Sequence, residues 1–131
     1  MENDLRTALI SDATIAGLVA DRVYPSAYPQ NSTASAIRLR KVVGSTGLTH
    51  RGSDGLSSAV VQVDLRTATA AEAYALRDAI VARLHPFTGV VDATDFSLIS
   101  LSSDRGVDFD TSTPTPWFTA SVDFNVWWRA A

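Results

Sequence analysis

The sequence predicts an α+β fold, in which a mostly antiparallel β-sheet has two main amphipathic helices packed on one face and one long flexible hairpin loop. The predicted elements run helix, two or three strands, helix, two strands. Strands grouped in this way favour an antiparallel sheet over a doubly wound parallel one. The last segment alternates apolar and polar residues along most of its length, which is typical of an antiparallel strand with two different faces.

Composition limits the classes of function open to this chain. Its 131 residues are 46% hydrophobic and 19% charged, which fits one globular domain over residues 1–131. The chain has no cysteine, and this excludes disulfides, thiolate metal sites and cysteine nucleophiles. A formal net charge of −3 argues against a general nucleic-acid binder. No apolar run approaches the roughly 20 residues needed to cross a bilayer, so we expect no membrane partner.

The N-terminal segment has the signals of helical structure. Asn3 or Asp4 can cap its start, and Asp12 offers a second cap. One bent helix and two short helices both fit this pattern. Tyr24-Pro25 marks the end of helical structure, because proline disfavours the helical region in the residue before it.

The second helix begins at a capping box, Thr69-Ala70-Ala71-Glu72, in which the side chain at each end satisfies a free backbone donor of the other. His85-Pro86 ends this helix. An apolar stripe at helical spacing predicts its buried face. The stripe consists of Ala73, Leu76, Ile80 and Leu84.

Two segments between the helices predict a hairpin with a long loop. Residues 37–43 and 59–66 alternate apolar and polar side chains over most of their length, as half-buried strands do. Residues 44–58 are rich in Gly, Ser and Thr, and loops longer than about 12 residues are usually functional or disordered. We expect this loop to order on assembly and contact a partner, with simple surface disorder as the alternative. Its candidate contact residues are His50, Arg51 and Asp54.

Two strands are predicted after the second helix, at residues 96–101 and Trp117–Arg129, separated by an acidic turn at residues 104–116. Successive side chains of a strand point to opposite faces, so the adjacent Trp127 and Trp128 are both buried only if both faces are covered. The helices cover one face. We expect a neighbouring subunit to cover Trp127, because aromatic anchors are enriched at interfaces. A frayed C-terminus that leaves one tryptophan half exposed is the alternative.

Arg38, Arg40 and Lys41 make the first predicted strand basic. One interpretation pairs them with acidic residues of a neighbouring subunit, which would fix register and orientation. A second interpretation has them facing DNA. The acidic residues concerned are Asp92, Asp95, Asp104, Asp108 and Asp110. These aspartates also fit solvated turns and strand ends.

The motifs of the chain predict neither catalysis nor a bound cofactor. The sequence has no Gly-x-Ser-x-Gly elbow, and spacing places no partner beside either histidine, His50 or His85. The glycine-rich stretches of the predicted loop lack the Gly-Lys-Ser/Thr ending of a phosphate loop. The acidic stretch lacks the spacing of a calcium loop. We therefore expect no catalytic residue, no cofactor and no metal.

Four stretches, the first of which ends the N-terminal helical segment, span nearly the whole chain in their order and spacing. They are Val19-Ala20-Asp21-Arg22-Val23-Tyr24-Pro25, Val61-Gln62-Val63-Asp64-Leu65, Thr69-Ala70-Ala71-Glu72-Ala73 and Ser121-Val122-Asp123-Phe124-Asn125-Val126-Trp127. In this conjunction the chain resembles the tail-completion or tail terminator proteins of long-tailed bacteriophages, which are similar in fold to the tail terminator of phage lambda.

The resemblance implies a structural virion protein and not an enzyme. Family members form a ring, usually a hexamer, at the head-proximal end of the tail tube, where the ring ends tube polymerisation and offers a surface for head–tail joining. The implied partners are other copies of the chain, the tail tube protein and the head connector or stopper protein, with possible passive contact between the lumen and DNA. The implied location is the head–tail junction of the virion, after assembly in the host cytoplasm. The alternatives are another neck or connector protein of similar fold, and a small ligand-binding α+β domain.

Overall fold

The computed structural model describes residues 1–29, 34–49, 52–111 and 116–131, with the backbone alone for residues 43, 45–49 and 52–55. Three helices and six strands follow one another in these ranges. They are α1 (Glu2–Ile10), α2 (Ala13–Val19), β1 (Val23–Pro25), β2 (Ala36–Thr49), β3 (Gly52–Thr67), α3 (Ala70–Leu84), β4 (Phe87–Val91), β5 (Thr94–Asp110) and β6 (Trp117–Ala130).

The six strands form one sheet in the order β1-β2-β3-β6-β5-β4. β1 runs parallel to β2, and the other neighbouring pairs are antiparallel. The predicted α+β class with a mostly antiparallel sheet is therefore confirmed. The sequence pattern does not predict β1 or β4, which are short strands of three and five residues that adjoin turns.

Two of the helices, α2 and α3, begin at capping residues that the sequence supplies. The prediction of a cap at Asn3 or Asp4 is wrong, because α1 begins at Glu2, and Met1 before it makes no side-chain capping hydrogen bond. The Asp12 carboxylate accepts hydrogen bonds from the backbone amides of Thr14 and Ile15 at 3.0 and 3.1 Å, and α2 starts after it. The N-terminal segment therefore forms two short helices. Thr69 Oγ1 accepts a hydrogen bond from the Glu72 amide at 3.2 Å and caps α3.

One hydrophobic cluster joins the helices to the inward face of the sheet. Its helical members include Leu5 and Leu9 of α1 and the four residues of the predicted α3 stripe. The central strands contribute alternate residues, as period-two packing requires. These strand residues are Val61, Val63, Leu65, Val122, Phe124 and Val126, each at most 1% exposed. A hydrogen bond of 2.6 Å from Thr94 Oγ1 to Asp4 Oδ2, both buried, adds a polar link between β5 and α1.

The prediction of a long hairpin loop at residues 44–58 is wrong over most of that range. β2 continues to Thr49 and β3 starts at Gly52, with register pairs that run from Gly44 opposite Ala59 to Thr49 opposite Gly52. The many Gly and Ser residues give this range little local strand preference, but each strand supplies the ladder partner of the other, so tertiary pairing overrides local preference.

The predicted acidic turn at residues 104–116 is likewise a strand as far as Asp110. The register of β5 shifts between Leu101 and Ser103 and between Asp104 and Val107. These shifts interrupt the alternation by which a strand is predicted from sequence. Gly106 lies in the second shift with a φ of 76°, the left-handed backbone region that glycine tolerates. A bulge of this kind lets β5 keep pairing with β6 on either side of the irregularity.

Candidate functional site

The face of the sheet that points away from the core has an open polar cleft of about 490 Å³. Strand alternation that buries Val61, Val63 and Leu65 turns the intervening residues of β3 outward. The floor of the cleft is formed by neighbouring outward residues of β3 and β6. These are Gln62, Asp64 and Arg66 of β3 and Thr119 and Ser121 of β6. Tyr28, from the segment between β1 and β2, and Arg105 of β5 line its sides.

Asp64 is the centre of a hydrogen-bond network in the cleft and is only 6% exposed. Arg38 Nε donates to Asp64 Oδ2 at 2.9 Å, and a second donor of the same guanidinium completes an ion pair. Gln62 Nε2 donates to Asp64 Oδ1 at 2.7 Å, and the Ser121 hydroxyl donates to the same oxygen. Burial alone would raise the pKa of Asp64, but these hydrogen bonds and the charge of Arg38 outweigh it and hold the pKa below its ordinary value.

Arg66 lies over two aromatic rings beside this network. Its Cζ atom is 4.1 Å from the centroid of the Tyr28 ring and 4.4 Å from that of Trp117. Two of its donors, Nε and Nη2, are buried and have no hydrogen-bond partner in the structure. Burial lowers the pKa of the Arg66 guanidinium and raises that of the Tyr28 hydroxyl, in each case by disfavouring the charged form.

Asp123 and Arg105 form a second ion pair at the side of the cleft, with Arg105 Nη2 2.5 Å from Asp123 Oδ2. Ser103 Oγ donates to the same carboxylate oxygen at 3.1 Å. The other oxygen, Asp123 Oδ1, is buried and has no hydrogen-bond partner in the structure. The outward face thus presents fixed donors and acceptors, an arrangement suited to recognition of a polar partner.

Comparison with known families decides the class of the chain. The family model described as "Tail completion protein gp17" matches residues 3–129. The chain belongs to this tail completion family. It is therefore a structural protein of the virion, located in the tail at the head–tail junction.

A solved structure supports the fold of this tail completion protein. A chain of the structure titled "Virion of native gene transfer agent (GTA) particle" superposes with a TM-score of 0.73 at 15% identity, covering 98% of this chain and 94% of that one. At this identity the likeness concerns the fold. The comparison with curated proteins found no match.

The three basic residues predicted as an interface do not share one face of the tail completion protein. Arg38 and Arg40 lie on the outward face, in register with Asp64 and Gln62. Arg38 is held by Asp64, and Arg40 Nη2 donates to Gln62 Oε1 at 3.1 Å. Lys41 is exposed and, as the next residue of the strand, points to the opposite face.

The tryptophans of β6 differ in what covers them. Both Trp127 and Trp128 are half-buried, but Trp128 packs against the hydrophobic cluster, whereas Trp127 lies in register with Leu98, which is exposed. Trp117 lies on the outward face and is nevertheless only 5% exposed. Arg66 stacks on it, so part of the outward face is covered from within the same chain.

Of the predicted loop contacts, His50 and Arg51 lie outside the described residues. Asp54 belongs to β3, where only the backbone is described. The structure therefore shows no side-chain geometry for this set.

The acidic stretch of β5 makes mainly local contacts. Asp104 Oδ1 accepts a hydrogen bond from the Gly106 amide at 2.9 Å, and Asp104 Oδ2 lies 3.8 Å from Arg77 Nε. Asp108 Oδ1 accepts from the Phe109 amide at 3.0 Å. Among the described residues, His, Asp and Glu side chains form no group that could hold a metal ion. The helices of the same ranges include none long and apolar enough to span a membrane.

Proposed function

We propose that this tail completion protein forms a ring, a hexamer, at the head-proximal end of the tail tube. The ring ends tube polymerisation and provides the surface on which the head connector joins. Its role is structural and non-enzymatic, and one domain over residues 1–131 performs it. Family membership over residues 3–129 is the observation on which the proposal rests.

Two free strand edges on opposite sides of the sheet support ring formation. β1 pairs with β2 only as far as Leu39, so within the described ranges the outer edge of β2 from Arg40 onward has no strand partner. On the other side, the described β4 pairs with β5 only as far as Ile99. A closed ring needs two different patches that meet head-to-tail, and these two edges are different patches.

Exposed apolar side chains lie on both free edges. Val42 of β2 and Phe109 of β5 are each 52% exposed. A long strand edge with exposed apolar residues is a template for pairing with another chain unless something covers it. In the proposed ring, the β2 edge of one copy meets the β5 edge of the next.

The remaining contacts of the proposed ring come from residues 50–54, the basic residues of β2 and the C-terminal strand. We assign His50, Arg51 and Asp54 to contact with a neighbouring subunit or the tube. Arg38, Arg40 and Lys41 are assigned to a subunit interface or to the lumen, where DNA passes, and Trp127 to an interface on the sheet face. Because Arg38 already holds Asp64, Arg40 and Lys41 are the members of the basic set that are exposed to a partner, and they lie on opposite faces of β2.

Val42→Lys tests the edge contact. Lysine on an edge strand opposes pairing with another strand, so this variant should remain folded while its mass by light scattering falls to that of a monomer. Tyr74→Lys is the control, because Tyr74 is exposed to a similar degree (49%) but belongs to α3 and not to a strand. It should assemble like the wild type. Assembly of Val42→Lys at wild-type concentrations would contradict the proposed β2–β5 contact.

A further inference from the structure

The Arg66 guanidinium has hydrogen-bond donors that lack partners in the isolated chain. Its Cζ atom lies over the Tyr28 ring at 4.1 Å and over the Trp117 ring at 4.4 Å from the ring centroids. A guanidinium donates hydrogen bonds only in its own plane, so the stacked rings leave these donors unsatisfied. Nε and Nη2 are both buried without a partner in the structure. Leaving such donors unpaired costs free energy that a ligand could recover.

The two unpaired donors lie on one edge of the guanidinium. Nε–H and one Nη2–H point the same way, and this edge matches the two oxygens of a carboxylate in a bidentate pair. Contacts with the Tyr28 and Trp117 rings hold the guanidinium in place, and a bidentate carboxylate lies in the guanidinium plane. Lysine would keep the charge and lose this fork, which makes the site specific to arginine.

The other cations of the cleft already hold acidic partners within the chain. Arg38 is paired with Asp64, and Arg105 with Asp123. We propose that the Nε–Nη2 edge of Arg66 receives a carboxylate, supplied by an aspartate or glutamate side chain of a second copy of this chain. The identity of the source rests on the proposed ring.

Charge supports a second copy as the source. The chain has 14 acidic and 11 basic residues, so acidic groups are in excess on every copy. In a head-to-tail ring each copy can offer a carboxylate on one side and Arg66 on the other. An ion pair between Arg66 and a carboxylate that forms only on assembly fixes the orientation of neighbouring copies and adds specificity to the contacts between the free strand edges.

Access to the two donors requires part of their cover to move. Trp117 belongs to β6, which is paired on both sides by β3 and β5. Tyr28 lies outside the strands, in the segment between β1 and β2. Tyr28 is therefore the part of the cover that we expect to move when the carboxylate binds.

The experiment compares Arg66→Met, Arg66→Lys and Arg83→Met in the full chain. Arg83 is the matched control, since it also stacks on an aromatic ring (Phe87, 5.0 Å) but donates to the Ala8 carbonyl oxygen at 2.9 Å. Thermal unfolding gives the Tm of each variant. Light scattering over a concentration series gives the concentration of half-assembly.

Arg66→Met should have a Tm equal to or above that of the wild type, because methionine fills the space between the rings and removes two unpaired donors. Its concentration of half-assembly should rise at least tenfold, and that of Arg66→Lys several-fold. Arg83→Met should show the opposite pattern, a lower Tm with unchanged assembly of the folded chain. Wild-type assembly by Arg66→Met would overturn the inference while leaving the ring intact.

The Nε–H resonance of Arg66 in NMR spectra distinguishes the sources of the carboxylate. It should shift when the wild type assembles without any added ligand. If it shifts only when glutarate is added, the site binds a free carboxylate and the second-copy source is wrong. If the wild type never assembles but glutarate shifts the resonance, the ring fails and the carboxylate site stands. If neither occurs, both proposals fail.

Discussion

Replacing Asp64 by alanine perturbs the network that organises the outward face. The change removes the acceptor for Arg38, Gln62 and Ser121 at once, at a residue that is 6% exposed. Breaking a buried ion pair by removing one partner costs about 3–5 kcal/mol. Because the Arg38 side chain is 28% exposed, water can solvate part of the freed guanidinium. We therefore expect a loss of about 3 kcal/mol in the free energy of unfolding, at the lower end of that range.

Urea unfolding followed by circular dichroism measures this loss, and thermal unfolding should show a Tm lower by roughly 10 °C for a domain of this size. Asp108→Ala is the matched control, because Asp108 is exposed and its described hydrogen bond is to the adjacent Phe109 amide. It should leave the unfolding midpoint nearly unchanged. An Asp64→Ala variant as stable as the control would refute the reasoning, since the network would then contribute nothing to folding.

Three further predictions concern pH, the core and the last strand. Folding lowers the pKa of Asp64. The stability that the Asp64 carboxylate contributes is therefore complete above the unfolded-state pKa of about 3.9. This stability is lost as the pH falls through that value and then through the lower pKa of the folded state. Urea midpoints from pH 7 to 2.5 should therefore fall less steeply below pH 4 for Asp64→Asn than for the wild type, and equal slopes would contradict this. Phe124→Ala should cost about 3–5 kcal/mol in urea unfolding because Phe124 is fully buried, whereas Phe109→Ala, at an exposed position, should cost far less. Trp127→Ala should weaken assembly, measured by light scattering, more than it lowers the Tm. Equal damage to assembly and to the Tm would indicate that Trp127 is a core residue and not an interface residue.

Local signals in the sequence predicted those parts of the fold that depend on neighbouring residues. The Thr69 cap and the α3 stripe are read from residues within a few turns of one helix, and the structure confirms both. The alternation of β6 likewise predicted that Val122, Phe124 and Val126 face the core, where all three are 0% exposed.

Pairing between distant strands was not visible in the sequence. Residues 44–49 and 52–58 have a loop-like composition, yet they pair with each other in the hairpin. Asp104–Asp110 reads as a turn because its register shifts break the alternation, although β6 supplies its ladder partners. In both cases the stabilising partner lies elsewhere in the chain, so the local pattern could not reveal it.

The polar cleft was missed for a related reason. Arg66 and Trp117 are 51 positions apart in sequence, and only the β3–β6 register brings Arg66 beside the start of β6. A usable signal was present in the outward positions of β3, since Gln62, Asp64 and Arg66 are polar or charged on three successive alternations. The alternation of β6 predicts that a neighbouring subunit covers the outward face, whereas the long Arg66 side chain covers Trp117 from within the same chain.

Electron microscopy of particles made without this protein tests the central claim most directly. If the chain closes the finished tail and joins it to the head, its loss should give overlong tails and heads without tails, and supplying the wild-type chain should restore joined particles of normal tail length. Normal joined particles in its absence would contradict the account.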